Sequence, residues 1–238
     1  MPRCRDMPVL TKNDESLKKA LEVAHTAPNR RVAGQDPVKR QQILDGAKQV
    51  FLSVGFDAAS MNDITREAGV SKGTIYVYFG SKEELFGALI DRERRAKLAL
   101  LAEALDEKYT VRETLMRYGF LLTRLMTSSQ LTRVQRMVIG VSERMPELGK
   151  QFFDTGPDSG KALLADYFAK QIEAGLLDIP DAVLAAQQLY DLCAGGLTRK
   201  CIFGAIAAPP DEEVIVRTVT SGVDMFMAYY GTDKLREG

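Results

Sequence analysis

Side chains that suit contact with phosphates and base edges cluster at the start of one short predicted helix. Ser71, Lys72, Gly73 and Thr74 are consecutive in the sequence. Lys72 can reach a guanine edge or a phosphate, while Thr74 offers a hydroxyl and a methyl group that suit a phosphate or a thymine. Gly73 lets the backbone come close to a partner. Because the first turn of a helix also directs N–H groups and the positive end of its dipole at anions, this turn is suited to reading DNA.

Side chains that would support catalysis are scarce by comparison. His25 is the only histidine, and Cys193 and Cys201 are about 12 Å apart along one predicted helix, too far to pair if the helix is straight. The segment 156–161 (GPDSGK) is one residue short of a phosphate-binding loop, and Ala162 replaces the Ser or Thr that such a loop needs. An enzyme is therefore disfavoured, and we predict no catalytic residue, no cofactor and no metal site.

The elements around Ser71 are those of a helix-turn-helix. Ser60 is a good N-cap with Asp63 three residues on, and Gly69 can take the left-handed conformation of a tight helix exit. Ser71 then caps a second helix from Lys72 to Tyr78. A helix, a short turn with glycine and a second helix form the DNA-reading unit of many regulators.

The stretch from Lys39 to Leu89 closely resembles the DNA-binding domain of the TetR family of transcriptional regulators. The specific parts are GF after the first helix, the core AGVSKGTIYVYF, and SKEEL at the start of the fourth helix. The resemblance implies that Tyr76, Tyr78 and Lys82 meet the DNA backbone or bases. Val77 stands where relatives often have a larger polar or aromatic residue, which leaves a thymine methyl contact there.

The predicted DNA-contacting residues share the N-terminal turn, the exposed side or the flanks of the second helix. They are Ser60, Ser71, Lys72, Gly73, Thr74, Tyr76, Val77, Tyr78 and Lys82.

Composition bounds the class of protein. The chain has 238 residues, no formal net charge, 45% hydrophobic and 27% charged residues, which is ordinary for a globular protein and excludes a wholly basic nucleic-acid coat protein. A local excess of positive charge exists between residues 29 and 82, with eight Lys or Arg against five Asp or Glu. Three cysteines without a C-x-x-C pair, no signal peptide and no long apolar run predict a cytoplasmic protein that does not enter a membrane.

The hydrophobic periodicity is helical throughout and predicts an all-α fold. We expect an N-terminal three-helix helix-turn-helix domain and a larger helical ligand-binding and dimerisation domain. The expected division is 1–36 as a flexible N-terminal extension, 37–97 as the DNA-binding domain and 98–238 as the second domain. Arg30 and Arg31 in the extension could enter the minor groove.

The resemblance also implies that the second domain holds a small apolar or amphipathic effector and forms a homodimer. The candidate pocket residues are Arg124, Met126, Phe152, Phe168 and Tyr190. The candidate dimer residues, on the last two long helices, are Leu189, Leu192, Val219, Val223 and Phe226.

These observations predict a homodimeric repressor that binds a palindromic double-stranded operator and is released by a small molecule. A second hypothesis is a regulator of the same fold, or an activator, that is controlled by a protein partner. Stabilisation by a ligand would separate the two hypotheses.

Overall fold

The computed structural model describes residue 34 and residues 36–155 and 157–236; the remainder of the predicted extension, with Arg30 and Arg31, lies outside the described residues. The described part of the chain is built of helices. In order they are α1 Pro37–Ala58, α2 Met61–Glu67, α3 Lys72–Tyr78, α4 Lys82–Ala104, α5 Val111–Met126, α6 Ser129–Ser142, α7 Pro146–Thr155, α8 Pro157–Glu173, α9 Ala182–Tyr190, a π-helical turn Asp191–Gly195, α10 Gly196–Ile202, α11 Glu212–Tyr230 and α12 Asp233–Arg236.

Helices α1 to α4 begin where the sequence supplies side-chain caps. Asp36 caps α1, whose first residue is Pro37, and the hydroxyls of Ser60, Ser71 and Ser81 each accept a hydrogen bond from a backbone N–H in the first turn of α2, α3 and α4. Such caps satisfy N–H groups that have no partner inside the helix. The capping serines therefore fix where each helix of the N-terminal part begins.

A first hydrophobic cluster joins α1 to α4. Phe51, Phe56 and Phe86 pack with ring centroids 5.0–5.8 Å apart, while Ile64 from α2 and Ile75 from α3 are fully buried against them. The cluster also contains side chains from beyond the predicted domain boundary at residue 97, namely Val138 and Val141 of α6 and Leu148 of α7. The predicted DNA-binding domain and the predicted second domain thus share a core.

A second cluster holds α5, α8, α9 and α11 together. Phe168 stacks on Phe226 at 5.1 Å between ring centroids, and Tyr118 of α5 donates a hydrogen bond to the Gly160 carbonyl in α8. Leu189 and Val219 are fully buried in the same cluster.

The structure corrects the choice of dimer residues. Leu189, Val219, Val223 and Phe226 are at most 2% exposed and pack inside the single chain, while Leu192 is half-buried against the same cluster. These four side chains cannot reach a second copy because their own protomer encloses them.

A π-helical turn, Asp191–Gly195, interrupts the helical run between α9 and α10. The Thr123 hydroxyl of α5 donates to the Cys193 carbonyl at 3.2 Å, so a neighbouring helix takes up a carbonyl within the turn. Gly222 of α11 lies directly against Leu192, where a Cβ would come within 3.1–3.2 Å of the backbone. The turn is therefore fixed from both sides by close helix contacts. None of the helices in the described ranges is long and apolar enough to cross a membrane.

Candidate nucleic-acid interface and internal cavity

The predicted helix-turn-helix is present as α2, a turn over residues 68–71, and α3. Asp63 and Ser60 form a reciprocal capping box at the start of α2, and Gly69 turns the chain with a φ of 61°. Gln42 of α1 donates to the Ala68 carbonyl at 2.7 Å, which ties the end of α2 to the first helix. The turn thereby holds α3 at a fixed angle on the core.

One face of α3 is buried and the opposite face is open. Ile75 is fully buried and the adjoining Phe79 is 2% exposed, so both side chains belong to the core. Lys72 and Gly73 are exposed, and one turn further on Tyr76 and Val77 are 47% and 51% exposed. Because residues four apart share a helix face, these four positions form two adjacent ridges that face outwards.

Three predicted contact residues use their hydroxyls within the protein. Ser71 accepts from the Thr74 backbone N–H at 3.0 Å and lies 2.7 Å from the Thr74 hydroxyl, while Ser60 caps α2. Ser71 is exposed, and Ser60 and Thr74 are partly exposed, so each remains accessible at its outer surface. Ser60 and Ser71 thus serve first as the N-caps of α2 and α3.

Tyr78 and Lys82 have structural partners as well. The Tyr78 phenol oxygen accepts from the Asp36 backbone N–H at 3.2 Å, which joins α3 to the start of α1. The Lys82 ammonium donates to the carbonyls of Phe56 and Ala59 at 2.8 and 2.9 Å, and lies over the Phe56 ring. Lys82 therefore satisfies carbonyls at the C-terminal end of α1, whereas Lys72 is exposed.

Two glycines in this region differ in what the fold demands of them. A Cβ on Gly46 would come within 2.7 Å of the Ala68 backbone, so the close packing of α1 on α2 requires glycine. A Cβ on Gly73 would meet only the Ser71 hydroxyl at 3.8 Å, an ordinary contact. The fold does not need glycine at 73, which agrees with a role in close approach by something outside the chain.

A charged cluster connects the DNA-reading part to the rest of the molecule. Glu93 of α4 pairs with Lys48 of α1 at 2.9 Å and with Arg92 at 3.0 Å, and it accepts from Gln130 of α6 at 3.1 Å. Burial pushes the pKa of Glu93 upwards, but the hydrogen bonds and charges of Lys48 and Arg92 outweigh it and leave that pKa below its ordinary value. Glu93 is thus an ionised hub between three helices.

A cavity of about 110 Å³ lies between the two hydrophobic clusters, directly beside this charged cluster. It is lined by α1 and by helices α4 to α9, with Leu98, Leu101, Leu122, Leu125, Val134 and Met137 among its apolar walls. Burial raises the pKa of Tyr190, another lining residue, to about 12, so its phenol stays protonated at neutral pH.

The cavity includes three of the five predicted pocket residues, Met126, Phe152 and Tyr190. The other two lie elsewhere. Phe168 is enclosed in the second cluster, and Arg124 is exposed, with its guanidinium 5.7 Å from the Phe120 ring centre.

Sequence reasoning missed the charged residues of the cavity wall, in particular Lys48, Glu93 and Lys97. The signal available was their spacing on α4, where Glu93 and Lys97 are four residues apart and interrupt a helix with Leu89, Leu98 and Leu101 on its buried side. Such charges usually belong to a solvated face, and only the fold reveals that they line a cavity.

Comparison with known proteins agrees with this architecture. Residues 43–89 match the family model for the tetR family of bacterial regulatory proteins, and residues 113–232 match the model for the C-terminal domain of AefR-like transcriptional repressors. The second match alone spans half of the chain.

Individual relatives are repressors of the same kind. An HTH-type transcriptional repressor from Mycobacterium tuberculosis is 29% identical over 171 residues, which cover 70% of this chain and 83% of that protein. The repressor AcnR from Corynebacterium efficiens is 37% identical over 105 residues, which cover 41% of this chain and only 54% of AcnR.

Solved structures extend the similarity over nearly the whole fold. A TetR-family transcriptional regulator from Mesorhizobium loti has a TM-score of 0.77 at 26% identity, with 82% of this chain and 98% of that chain covered. The flavonoid-responsive regulator FrrA has a TM-score of 0.69 at 28% identity, with 83% and 100% covered.

Proposed function

We propose, on the premise that this chain belongs to the TetR family of bacterial regulatory proteins, that it represses transcription as a homodimer bound to a palindromic operator. Members of this family are DNA-binding regulators and not enzymes. A small molecule in the internal cavity releases the DNA, and the protein acts in the cytoplasm.

The observation that carries the proposal is the open face of α3. Lys72, Gly73, Tyr76 and Val77 project from it without serving the core. A helix with this exposure, rigidly held by Ile75 and by the Tyr78 contact to Asp36, can enter a major groove as a unit. The remaining cap residues would then support its phosphate contacts.

Exposed apolar side chains on α9 to α11 support the homodimer. Phe203 and Tyr229 are 83% and 80% exposed, and Val183, Leu184 and Met225 are more than half exposed. Large apolar side chains that one chain leaves exposed are candidates for burial in an interface between proteins. A two-fold dimer would place two α3 helices about 34 Å apart, in successive major grooves.

The cavity supports control by a small molecule. It touches α1 on one side and α5, α6 and α9 on the other, so its occupant contacts both the reading part and the second domain. FrrA, a structural relative, is described as flavonoid-responsive, which gives a precedent for such control. The ligand must favour a conformation that fits the operator poorly, because equal affinity for both conformations releases nothing.

Fluorescence anisotropy on the DNA that flanks the coding region tests the proposal. We expect tight binding that a scrambled competitor does not displace and that weakens steeply with salt, because phosphate contacts release counterions. Lys72→Ala should weaken it, while Arg95→Ala, an exposed change on α4, serves as the matched control. Binding that is equally strong to the scrambled sequence would contradict a specific operator.

A further inference from the structure

We infer that the internal cavity takes a small amphipathic anion, whose apolar body fills the space between α4, α5 and α6 and whose negative head pairs with Lys97. That this anion is also the effector rests on the function proposed above.

The charge of the cavity wall favours an anion. Among the described residues that line it, Lys48 is paired with Glu93 at 2.9 Å and Arg94 with Asp91 at 3.7 Å, whereas Lys97 has no such pair. The Glu93 carboxylate is already engaged, since Lys48 and Gln130 share one of its oxygens and Arg92 holds the other. A cationic ligand would have to compete with these bonds for Glu93, whereas an anion can pair with Lys97 without displacing any of them.

Lys97 is the side chain in this wall that is placed to receive the anion. It lies one turn after Glu93 on α4 and is half-buried, yet within the described ranges no side chain or carbonyl forms a hydrogen bond or ion pair with its ammonium. Burial lowers the pKa of Lys97, an effect that the Glu93 charge opposes and the Lys48 charge reinforces. A partly desolvated ammonium without a close partner is costly, and a bound carboxylate would relieve that cost.

The rest of the wall determines the body of the ligand. Leu98, Leu122, Leu125 and Met137 offer aliphatic contacts without hydrogen-bonding groups. The space of about 110 Å³ is of the same order as an engineered apolar cavity of about 150 Å³ that binds benzene, so it suits one aliphatic chain or one ring and not a larger ring system. The ligand class is therefore an acid with a single aliphatic chain or a single ring.

The position of the head group also links occupancy to the DNA-reading part. Lys97 lies close enough to Glu93 and Lys48 for their charges to act on it. An anion beside Lys97 repels the Glu93 carboxylate and attracts Lys48, and both effects weaken the ion pair that joins α4 to α1. The Lys48–Glu93 ion pair, which joins α1 to α4, would thus lie next to the charge of the ligand.

Three eight-carbon compounds with different head groups test the inference on the full chain: octanoate, octanol and octylammonium. Affinity is measured by titration calorimetry, and Tm by circular dichroism. Wild-type protein should bind octanoate about tenfold or more tightly than octanol, with no resolved binding of octylammonium.

Substitutions of Lys97 test whether this residue supplies the positive charge that binds the anion. Lys97→Met should weaken octanoate binding about tenfold or more and leave octanol binding unchanged, while Lys97→Arg should stay close to wild type. Arg95→Met removes the same charge from the exposed side of α4 and should change neither affinity. If Lys97→Met does not fold, the comparison of the three compounds on wild-type protein still decides.

Two outcomes overturn the inference: octanol or octylammonium binding as tightly as octanoate, or octanoate affinity that survives Lys97→Met. Operator release is measured separately by anisotropy. Octanoate that binds through Lys97 but leaves the operator complex intact would overturn the proposed effector control and retain the ligand class. Release of the operator by octanol and not by octanoate would retain effector control and overturn the inference that the ligand is an anion.

Discussion

At the scale of single residues, the structure separates the predicted DNA contacts that only face outwards from those that also hold α1 to α4 together. Lys72 and Lys82 illustrate the difference, because both are lysines at the starts of helices and both are predicted contacts. Lys72 is exposed, whereas Lys82 donates to main-chain carbonyls at the end of α1. The same residue type therefore has two tasks within ten positions.

Replacing each lysine with methionine should separate these tasks. Lys82→Met leaves two carbonyls without their charged donor and should lower the free energy of unfolding by about 1–3 kcal/mol. Lys72→Met should leave stability unchanged and weaken operator binding with a smaller salt dependence. Chemical denaturation and anisotropy measure the two effects, and equal destabilisation by both variants would contradict the assignment.

The two glycines provide a second matched pair. Gly73→Ala should retain stability or raise it by up to about 1 kcal/mol, since alanine favours helix and meets no obstacle, yet it should weaken operator binding. Gly46→Ala should destabilise the fold, because its Cβ would overlap the Ala68 backbone. Denaturation midpoints alongside operator affinities check both, and full operator affinity in Gly73→Ala would remove the close approach at that position.

At the scale of elements, α4 connects the two halves through Glu93. The folded pKa of Glu93 lies below its ordinary value of 4.5, so its ion pairs stabilise the folded state above that pH. This contribution is lost as the pH falls through the depressed value, when the carboxylate takes up a proton.

Glu93→Gln should therefore lower Tm most at neutral pH, and the difference from wild type should shrink below about pH 4.5. Thermal unfolding of both proteins across that range measures it. A difference that stays constant at acid pH would mean that the amide loses packing rather than charge.

Elements were largely predictable from the sequence because their ends have local causes. Asp36 and three serines cap the beginnings of α1 to α4, and each cap lies within the segment whose helix it begins. The single predicted helix that carries Cys193 and Cys201 is instead a π-helical turn, Asp191–Gly195, followed by α10. That turn depends on Thr123 and Gly222 from other helices, which local sequence cannot reveal.

Site residues were predictable only where a local motif specifies them. The exposed ridge of α3 follows from a motif within one short segment, so the exposure of Lys72 and Tyr76 could be predicted, while their contact with DNA stays a prediction. Predicting the dimer and pocket residues requires knowing which of two apolar faces of a helix packs into the core, and the local sequence does not determine this. The most regular apolar stripe of α11, with Val219, Val223 and Phe226, packs into its own protomer, and the less regular side is exposed.

At the scale of the whole molecule, several large apolar side chains between α9 and α11 stay exposed in the single chain and are candidates for contact with a second copy. Phe203 and Tyr229 are the most exposed aromatic residues among them. Their burial between two protomers would contribute substantially to association, since aromatic side chains dominate interface energetics.

Phe203→Glu combined with Tyr229→Glu should yield monomers with unchanged helical content and much weaker operator binding. Ile139→Glu places the same charge on an exposed apolar position of α6 and should leave the assembly intact. Sedimentation velocity checks both, and an unchanged assembly in the double variant would locate the interface elsewhere.

The shared core of the first cluster restricts how this protein can be recombined with its relatives. In this chain the core of α1 to α4 packs against Val138, Val141 and Leu148. A chimera cut at residue 97 would replace these three side chains with those of another protein. Foreign side chains there would leave voids or clashes in the core. We therefore expect such a chimera to keep the DNA specificity of the reading head but to fold and dissolve poorly. Engineers who seek to rewire a genetic circuit with this chain should therefore transplant the α6–α7 corner together with the reading head.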